Sequence, residues 1–164
     1  IKENCFIDER DEWGRTSINL CVAIKAPQSF QETYDDYLIR FMVERNEDEG
    51  WLRLSSSISE NEEIWIARRD IDKIDEGIIN MGESLNKRLH KKQVHYVFQF
   101  DCGGRGRVIL ENDHKMRNLN YLQNEVAAGK PWAGFYTYGE IAPVAGINCF
   151  HSYTAVLLCS LIEP

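Results

Sequence analysis

The stretch Gly134-Phe-Tyr-Thr-Tyr-Gly-Glu-Ile-Ala-Pro-Val144 carries the pattern that decides the fold. Its first five residues have the aromatic composition of a β-strand, and Gly139-Glu140 follows at a predicted corner. A second segment runs from Gly146 to Leu161 and ends in the apolar residues of a closing strand. The C-terminal part of the chain is therefore predicted to consist of strands joined by tight glycine corners.

A third segment, upstream, completes this pattern. Large apolar side chains occupy every second position from Val94 to Phe100, which predicts a central strand with one strongly apolar face. This strand leads into Asp101-Cys-Gly-Gly-Arg-Gly106, where three glycines allow backbone amides to point into a concavity and Arg105 adds positive charge. The segment indicates an anion-binding turn. The alternative is a plain glycine-rich turn whose arginine pairs with an acidic neighbour.

Together these segments resemble the C-terminal half of the FIST domain, a sensory module of bacterial signalling proteins and of some eukaryotic F-box proteins. The resemblance covers roughly residues 32–164, which are predicted to form one FIST C-like domain. Residues 1–31 are then an N-terminal segment, with a buried strand expected between Ile18 and Ile24. Because the chain lacks an initiator Met and an N-terminal FIST half, we expect this segment to belong to a preceding part of a longer protein.

Composition limits the class of protein and the class of partner. A length of 164 residues predicts one domain with one hydrophobic core. The net charge of −7 disfavours nucleic acid and anionic membrane as partners. No apolar run reaches the roughly 18 residues of a membrane span, and the five cysteines do not have the spacing of a disulfide framework. Reduced thiols in a cytoplasmic protein are therefore expected.

Two amphipathic helices are predicted between the strands. The first has one apolar stripe from Ile71 to Leu89, with Asp70 placed as its N-cap. The second covers residues 113–128, and Gly129 can end it in a left-handed conformation.

The remaining strands complete the predicted fold class. Residues 38–44 and 51–55 flank a polar turn and are predicted to form a hairpin, and residues 64–67 supply a third strand. We therefore predict an α+β fold: a mainly antiparallel sheet packed by two amphipathic helices.

Motifs for nucleotides and metals are not found. The segment Gly104-Arg-Gly106 lacks the third glycine of a dinucleotide fingerprint, and no P-loop occurs. Cys102, Cys149 and His151 have no standard zinc spacing, so no metal and no cofactor are predicted. Cys102 is a candidate nucleophile, although a small buried thiol is the favoured interpretation. No catalytic residue is assigned.

The resemblance instead implies a ligand site made by the glycine turn and the C-terminal segment. Arg105 is expected to hold a ligand carboxylate and Glu140 a ligand ammonium group. Glu140 could equally cap a turn or pair with Arg105. The eight candidate ligand-binding residues are Cys102, Gly103, Gly104, Arg105, Tyr138, Glu140, Asn148 and His151.

The function that follows from the resemblance is non-catalytic sensing of a small molecule within an intracellular signal-transduction protein. Amino acids or similar metabolites are the implied ligands, and protein partners are expected to receive the signal. The main alternative is a protein-interaction module like those of F-box proteins, and a weaker alternative is a cysteine-dependent enzyme. A deep polar pocket beside Arg105 would favour sensing, whereas a broad apolar surface would favour protein interaction.

Overall fold

A computed structural model describes residues 13–31, 34–90 and 92–162 of the chain. It has the predicted α+β class, with four helices and ten strands in the described residues. The described residues divide into two compact units: those up to residue 69 with residues 141–153, and those of 70–140 with the described residues from 154 onward. The boundary predicted between residues 31 and 32 stays a prediction, because residue 32 lies outside the described residues.

The elements alternate between short strands and helices along the chain. In order they are α1 (Trp13–Asn19), β1 (Leu20–Lys25), α2 (Gln28–Gln31), β2 (Tyr37–Arg40), β3 (Met42–Asn46), β4 (Trp51–Leu54), β5 (Ile64–Arg68), α3 (Ile71–Leu89), β6 (Gln93–Cys102), α4 (Asn112–Ala127), β7 (Trp132–Thr137), β8 (Glu140–Val144), β9 (Ile147–His151) and β10 (Ala155–Ile162).

The first unit is built around β1, the strand expected near residues 18–24. This strand is largely buried and lies between β2 and β5 in an antiparallel sheet. The predicted hairpin is only partly observed, because the run 38–44 is interrupted at Phe41. The Phe41 N–H donates to Ser55 Oγ at 3.0 Å instead of continuing a strand. Residues before Phe41 therefore pair with β1, and those after it pair with β4.

A two-stranded sheet of β8 and β9 is a feature of the first unit that the sequence did not predict. Ala145 and Gly146 join these strands with φ angles of 49° and 80°. Two consecutive positive φ values are typical of the tight type I′ hairpin turn. Val144, just before this turn, packs in a buried cluster with Ala26 and Phe30, which ties the hairpin to the core of its unit.

The second unit is a three-stranded sheet with β6 in the centre. β10 pairs with β6 in the predicted antiparallel sense, but β7 runs parallel to it, from Val97 opposite Trp132 to Cys102 opposite Thr137. A parallel pair needs a crossover connection, and α4 provides it. Strand β6, helix α4 and strand β7 thus form a βαβ unit, which the prediction of a mainly antiparallel sheet did not include.

Both predicted helices are observed in the second unit. α3 starts after Asp70, whose side chain accepts hydrogen bonds from the N–H groups of Asp72 (3.0 Å) and Lys73 (3.3 Å), as expected of an N-cap. α4 spans residues 112–127, within one residue of the prediction. The core of the unit contains Val97 from the sheet and Val126 from α4, so the helix covers the face of β6 that carries the odd-numbered side chains.

Candidate functional site

The glycine turn after β6 is closed by its own backbone hydrogen bonds. The Cys102 carbonyl accepts from the N–H groups of Arg105 (2.9 Å) and Gly106 (3.0 Å). The Gly103 N–H donates to the Thr137 carbonyl at 2.8 Å. Because these three amides are already engaged, the turn acts as a fixed support for the Arg105 side chain rather than as an open nest of amides.

Arg105 forms a buried ion pair with Asp101, the last but one residue of β6. Its side chain is 10% exposed, and Nη1 donates to the two Asp101 carboxylate oxygens at 3.2 and 3.4 Å. Burial raises the pKa of Asp101, and the charge and hydrogen bonds of Arg105 oppose that shift. Arg105 therefore pairs with an acidic neighbour, as the alternative interpretation of the glycine turn predicted.

A cavity of about 580 Å³ lies beside this ion pair, between α4 and the strands β6 and β7. Its volume is within the usual range for small-molecule sites. The larger apolar and aromatic residues that line it are Ile78, Leu110, Met116, Leu119, Leu122, Trp132, Phe135 and Tyr136. Its polar side chains are Gln99, Asp101, Arg105, Arg107, Asn112, Lys115, Asn118 and Gln123.

The topology makes the two ends of the cavity chemically different. α4 starts beside the glycine turn and then runs back along the parallel strands toward the beginning of β7. The end near the turn consequently carries Arg105, Arg107 and Lys115, whereas the opposite end carries Leu122 and Trp132. A charged end and an apolar end are the arrangement that an amphipathic small molecule requires.

Glu140 lies on the other face of the strand pair from Arg105. Its carboxylate accepts hydrogen bonds from the hydroxyl of Thr137 and, at 2.9 Å, from that of Thr154. Side chains alternate between the two faces of a strand. Thr137 pairs with Cys102, which follows Asp101, so the Thr137 side chain lies on the opposite face from that of Asp101. The structure therefore does not bring together Arg105 and Glu140, the two side chains expected to share one ligand.

The other predicted residues are distributed over both units. Tyr138 is fully exposed at the surface, whereas Cys102 is buried at 5% exposure. Asn148 and His151 belong to the first unit, where the His151 ring packs against Tyr34 with a centroid distance of 5.1 Å. His151 Nε2 lies 3.2 Å from a backbone carbonyl oxygen. Of the eight predicted residues, only Arg105 lines the cavity.

Sequence reasoning missed most of the cavity wall. Gln99 and Asp101 were assigned to a strand, and the change from Val97 to these two polar residues on the same face of that strand was the available signal. The α4 residues Lys115 and Gln123 gave no signal, because their place in the wall depends on the parallel pairing of β6 with β7.

Metal-binding and membrane-spanning features are not observed in the part of the chain that the structure describes. Within residues 13–31, 34–90 and 92–162, no three His, Cys, Asp or Glu side chains are grouped so that they could hold a metal ion. In the same residues, no helix combines the length and apolar character needed to cross a membrane.

Comparison with known proteins gives a family match and several distant relatives. The model of the FIST C domain family matches residues 6–143. An uncharacterized protein of Mycobacterium bovis is 28% identical over 121 residues, which are 73% of this chain and 30% of that protein. An uncharacterized protein of Mycobacterium tuberculosis is 29% identical over 121 residues, again 73% of this chain and 30% of that protein. The chain thus spans about a third of the length of these relatives, and no solved structure matches it.

Proposed function

Because this chain belongs to the FIST C domain family, we propose that it is the small-molecule-sensing part of a cytoplasmic signal-transduction protein. The family is generally sensory or signalling. The observation that supports sensing most directly is the cavity of about 580 Å³ beside the Arg105–Asp101 ion pair. Amino acids and related small carboxylates are the proposed ligand class, since a guanidinium is the natural partner of a carboxylate.

Binding without catalysis fits the chemistry of the cavity. The candidate nucleophile Cys102 is buried and does not line it. Asp101, the carboxylate in the cavity wall, is already held by Arg105 and by Gln99. A general base must reach the proton that it removes, and a nucleophile must reach the reacting atom. The groups in this wall are instead arranged to hold and orient a ligand.

The test is a thermal-shift screen of the protein against the amino acids and a set of small carboxylic acids. A ligand at a hundred times its Kd adds about 2.7 kcal/mol of stability, which is readily detected as a rise in Tm. Gln123→Trp places a large ring in the cavity wall, and Asn120→Trp places the same ring on the exposed side of α4. We expect a ligand to raise the Tm of the Asn120→Trp variant but not that of the Gln123→Trp variant.

Two results would count against sensing at this site. One is a screen at millimolar concentration in which no compound changes the Tm. The other is a ligand that stabilises both tryptophan variants equally, since that ligand would be binding outside the cavity.

The competing function is a protein-interaction module, and an exposed sheet face favours it. The side of β6, β7 and β10 that α4 leaves uncovered carries Tyr96, Phe98, Phe135 and Leu158, with Phe135 65% and Leu158 56% exposed. Rings on this face contact one another, as in the Tyr96–Phe98 pair at 5.4 Å. A contiguous apolar surface of this kind suits an apolar segment of another protein.

Substitutions separate the two functions. If the protein is an interaction module, Leu158→Ser should abolish the capture of the partner, and Gln123→Trp should leave it unchanged. If it is a sensor, Leu158→Ser should leave ligand binding intact, because Leu158 lies on the uncovered face and does not line the cavity.

A further inference from the structure

Positive charge predominates among the ionisable side chains that line the cavity. Among the described residues that line it, three are cationic, namely Arg105, Arg107 and Lys115, and one, Asp101, is a carboxylate. The chain as a whole has a net charge of −7, so this local excess of positive charge runs against the overall balance. The cavity therefore favours an anion over a cation or a zwitterion.

The Asp101 carboxylate in the cavity wall is already engaged by two donors of the protein. Asp101 accepts from Arg105 Nη1 at 3.2 and 3.4 Å and from Gln99 Nε2 at 3.4 Å. Glu140, the residue expected to bind an ammonium group, does not line the cavity and is held by two threonine hydroxyls. An α-ammonium group entering the cavity would have to compete with Arg105 and Gln99 for the Asp101 carboxylate, and the cationic side chains of the wall would repel it.

The cationic groups, in contrast, keep donors for a ligand. Among the described residues, Arg105 donates only through Nη1, which leaves Nε and Nη2 for a carboxylate. Lys115 Nζ donates to Asn112 Oδ1 at 3.2 Å and has two further hydrogens. Asn112 is the first residue of α4, so the positive end of the helix dipole borders the same end of the cavity and adds to its preference for an anion.

The opposite end of the cavity offers apolar surface. Leu119, Leu122 and Trp132 contribute to its wall. The indole Nε1–H of Trp132 already donates to Gln99 Oε1 at 3.1 Å, so its one donor is engaged and its ring is left for apolar contact. A ligand body that reaches this end gains by burying hydrocarbon or an aromatic ring.

We propose that the cavity binds a monocarboxylate with an apolar or aromatic body and does not recognise an α-ammonium group. The carboxylate lies against Arg105 and Lys115, and the body extends along α4 toward Trp132. This inference rests on the proposed sensing function and narrows its ligand class from amino acids and related metabolites to acids without the amino group.

The experiment compares matched pairs of acids that differ by the α-ammonium group alone. The pairs are 3-phenylpropionate with phenylalanine, indole-3-propionate with tryptophan, and hexanoate with norleucine, each titrated calorimetrically into the protein. We expect the acid to bind at least about tenfold more tightly than the amino acid in each pair that binds, because the cavity already carries excess positive charge.

Charge variants test where the carboxylate binds. Lys115→Gln and Arg107→Gln each remove one cation from the wall without removing either partner of the buried Arg105–Asp101 pair. We expect each to weaken acid binding by about three- to tenfold and to reduce its dependence on salt. Lys130→Gln, which removes an exposed lysine outside the cavity wall, is the matched control and should bind as the unaltered protein does.

The outcomes separate this inference from the sensing function. An amino acid that binds as tightly as its matched acid, or acids that bind equally to the Lys115→Gln, Arg107→Gln and Lys130→Gln variants, would overturn the inference. If the thermal-shift screen finds a ligand that Gln123→Trp excludes but none of the acids binds at millimolar concentration, sensing stands and the carboxylate preference fails. If no compound in either set binds, both proposals fail.

Discussion

Replacing Gly134 by Ala is expected to weaken the pairing of β6 with β7. The Cβ of an alanine at this position would lie 2.1 Å from the carbonyl oxygen of Gln99, its partner in the parallel ladder, and 3.0 Å from the Gln99 carbonyl carbon. Real Cβ atoms essentially never lie within 3.0 Å of a heavy atom outside their own residue and its chain neighbours. The strands must therefore separate by roughly 1 Å at this point, which lengthens a hydrogen bond of about 2.9 Å beyond its useful range.

The magnitude follows from what this separation disrupts. Two neighbouring interstrand hydrogen bonds at about 1 kcal/mol each, together with local strain of about 1 kcal/mol or more, amount to about 3 kcal/mol. Alanine has a lower backbone entropy than glycine in the unfolded chain, and this raises the free energy of unfolding by roughly 0.5–1 kcal/mol. We therefore expect Gly134→Ala to lower the free energy of unfolding by about 2 kcal/mol.

The assay is urea denaturation followed by tryptophan fluorescence, with the m-value checked for constancy. Gly77→Ala is the matched control, because a Cβ at Gly77 would meet nothing within 4 Å in the middle of α3. That variant should gain up to about 1 kcal/mol from helix propensity. A Gly134→Ala protein as stable as the unaltered chain would refute the close approach of the two strands.

Three further predictions concern the second unit. Asp70→Ala removes the N-cap of α3 and should cost about 1 kcal/mol, measured by urea denaturation. Burial alone would raise the pKa of Asp75, but hydrogen bonds from His114 and Asn118 and neighbouring positive charges outweigh it and lower that pKa. Stabilisation by Asp75 is therefore present above about pH 4 and is lost as the pH falls through the lowered folded-state pKa. Asp75→Asn should lower the free energy of unfolding by up to about 1 kcal/mol at pH 7 and should not change it in strong acid. Measurement of the Tm of both proteins across pH checks this. Glu140→Gln should cost about 1 kcal/mol, because its carboxylate accepts from two hydroxyls, and calorimetry should show unchanged ligand affinity.

Each of these predictions has a result that contradicts it. Unchanged stability of Asp70→Ala would mean that the cap contributes nothing. A pH-independent difference between Asp75→Asn and the unaltered protein would remove the carboxylate charge from the explanation. A loss of ligand affinity in Glu140→Gln, with stability retained, would return this residue to the binding site.

The sequence predicted the parts of the fold that depend on local signals. α3 was identified to within a residue because its apolar stripe and its capping residue Asp70 lie within one continuous segment. The strand ending in Cys102 was identified for the same reason, since alternation is a property of neighbouring residues.

The features that the sequence did not predict depend on which segments meet. The parallel partner of β6 is separated from it by α4, and alternation in β7 does not reveal the direction of pairing. The residues of the cavity also divide into those with a local signal and those that depend on which segments meet. Arg105 was identified from its glycine turn, whereas the lining residues Lys115 and Trp132 required knowledge of how α4 lies on the sheet.

The interleaving of the two units along the chain has a consequence for biosynthesis. The first unit needs residues 141–153, and the second needs residues from 154 onward to supply β10, the antiparallel partner of β6. During translation the first unit cannot complete its set of strands before residues 141–153 have left the ribosome, and the second cannot do so before β10 has. More than fifty residues must be added after β6 before its antiparallel partner β10 is available. The edge of β6 therefore stays unpaired on the nascent chain until β10 has been synthesised.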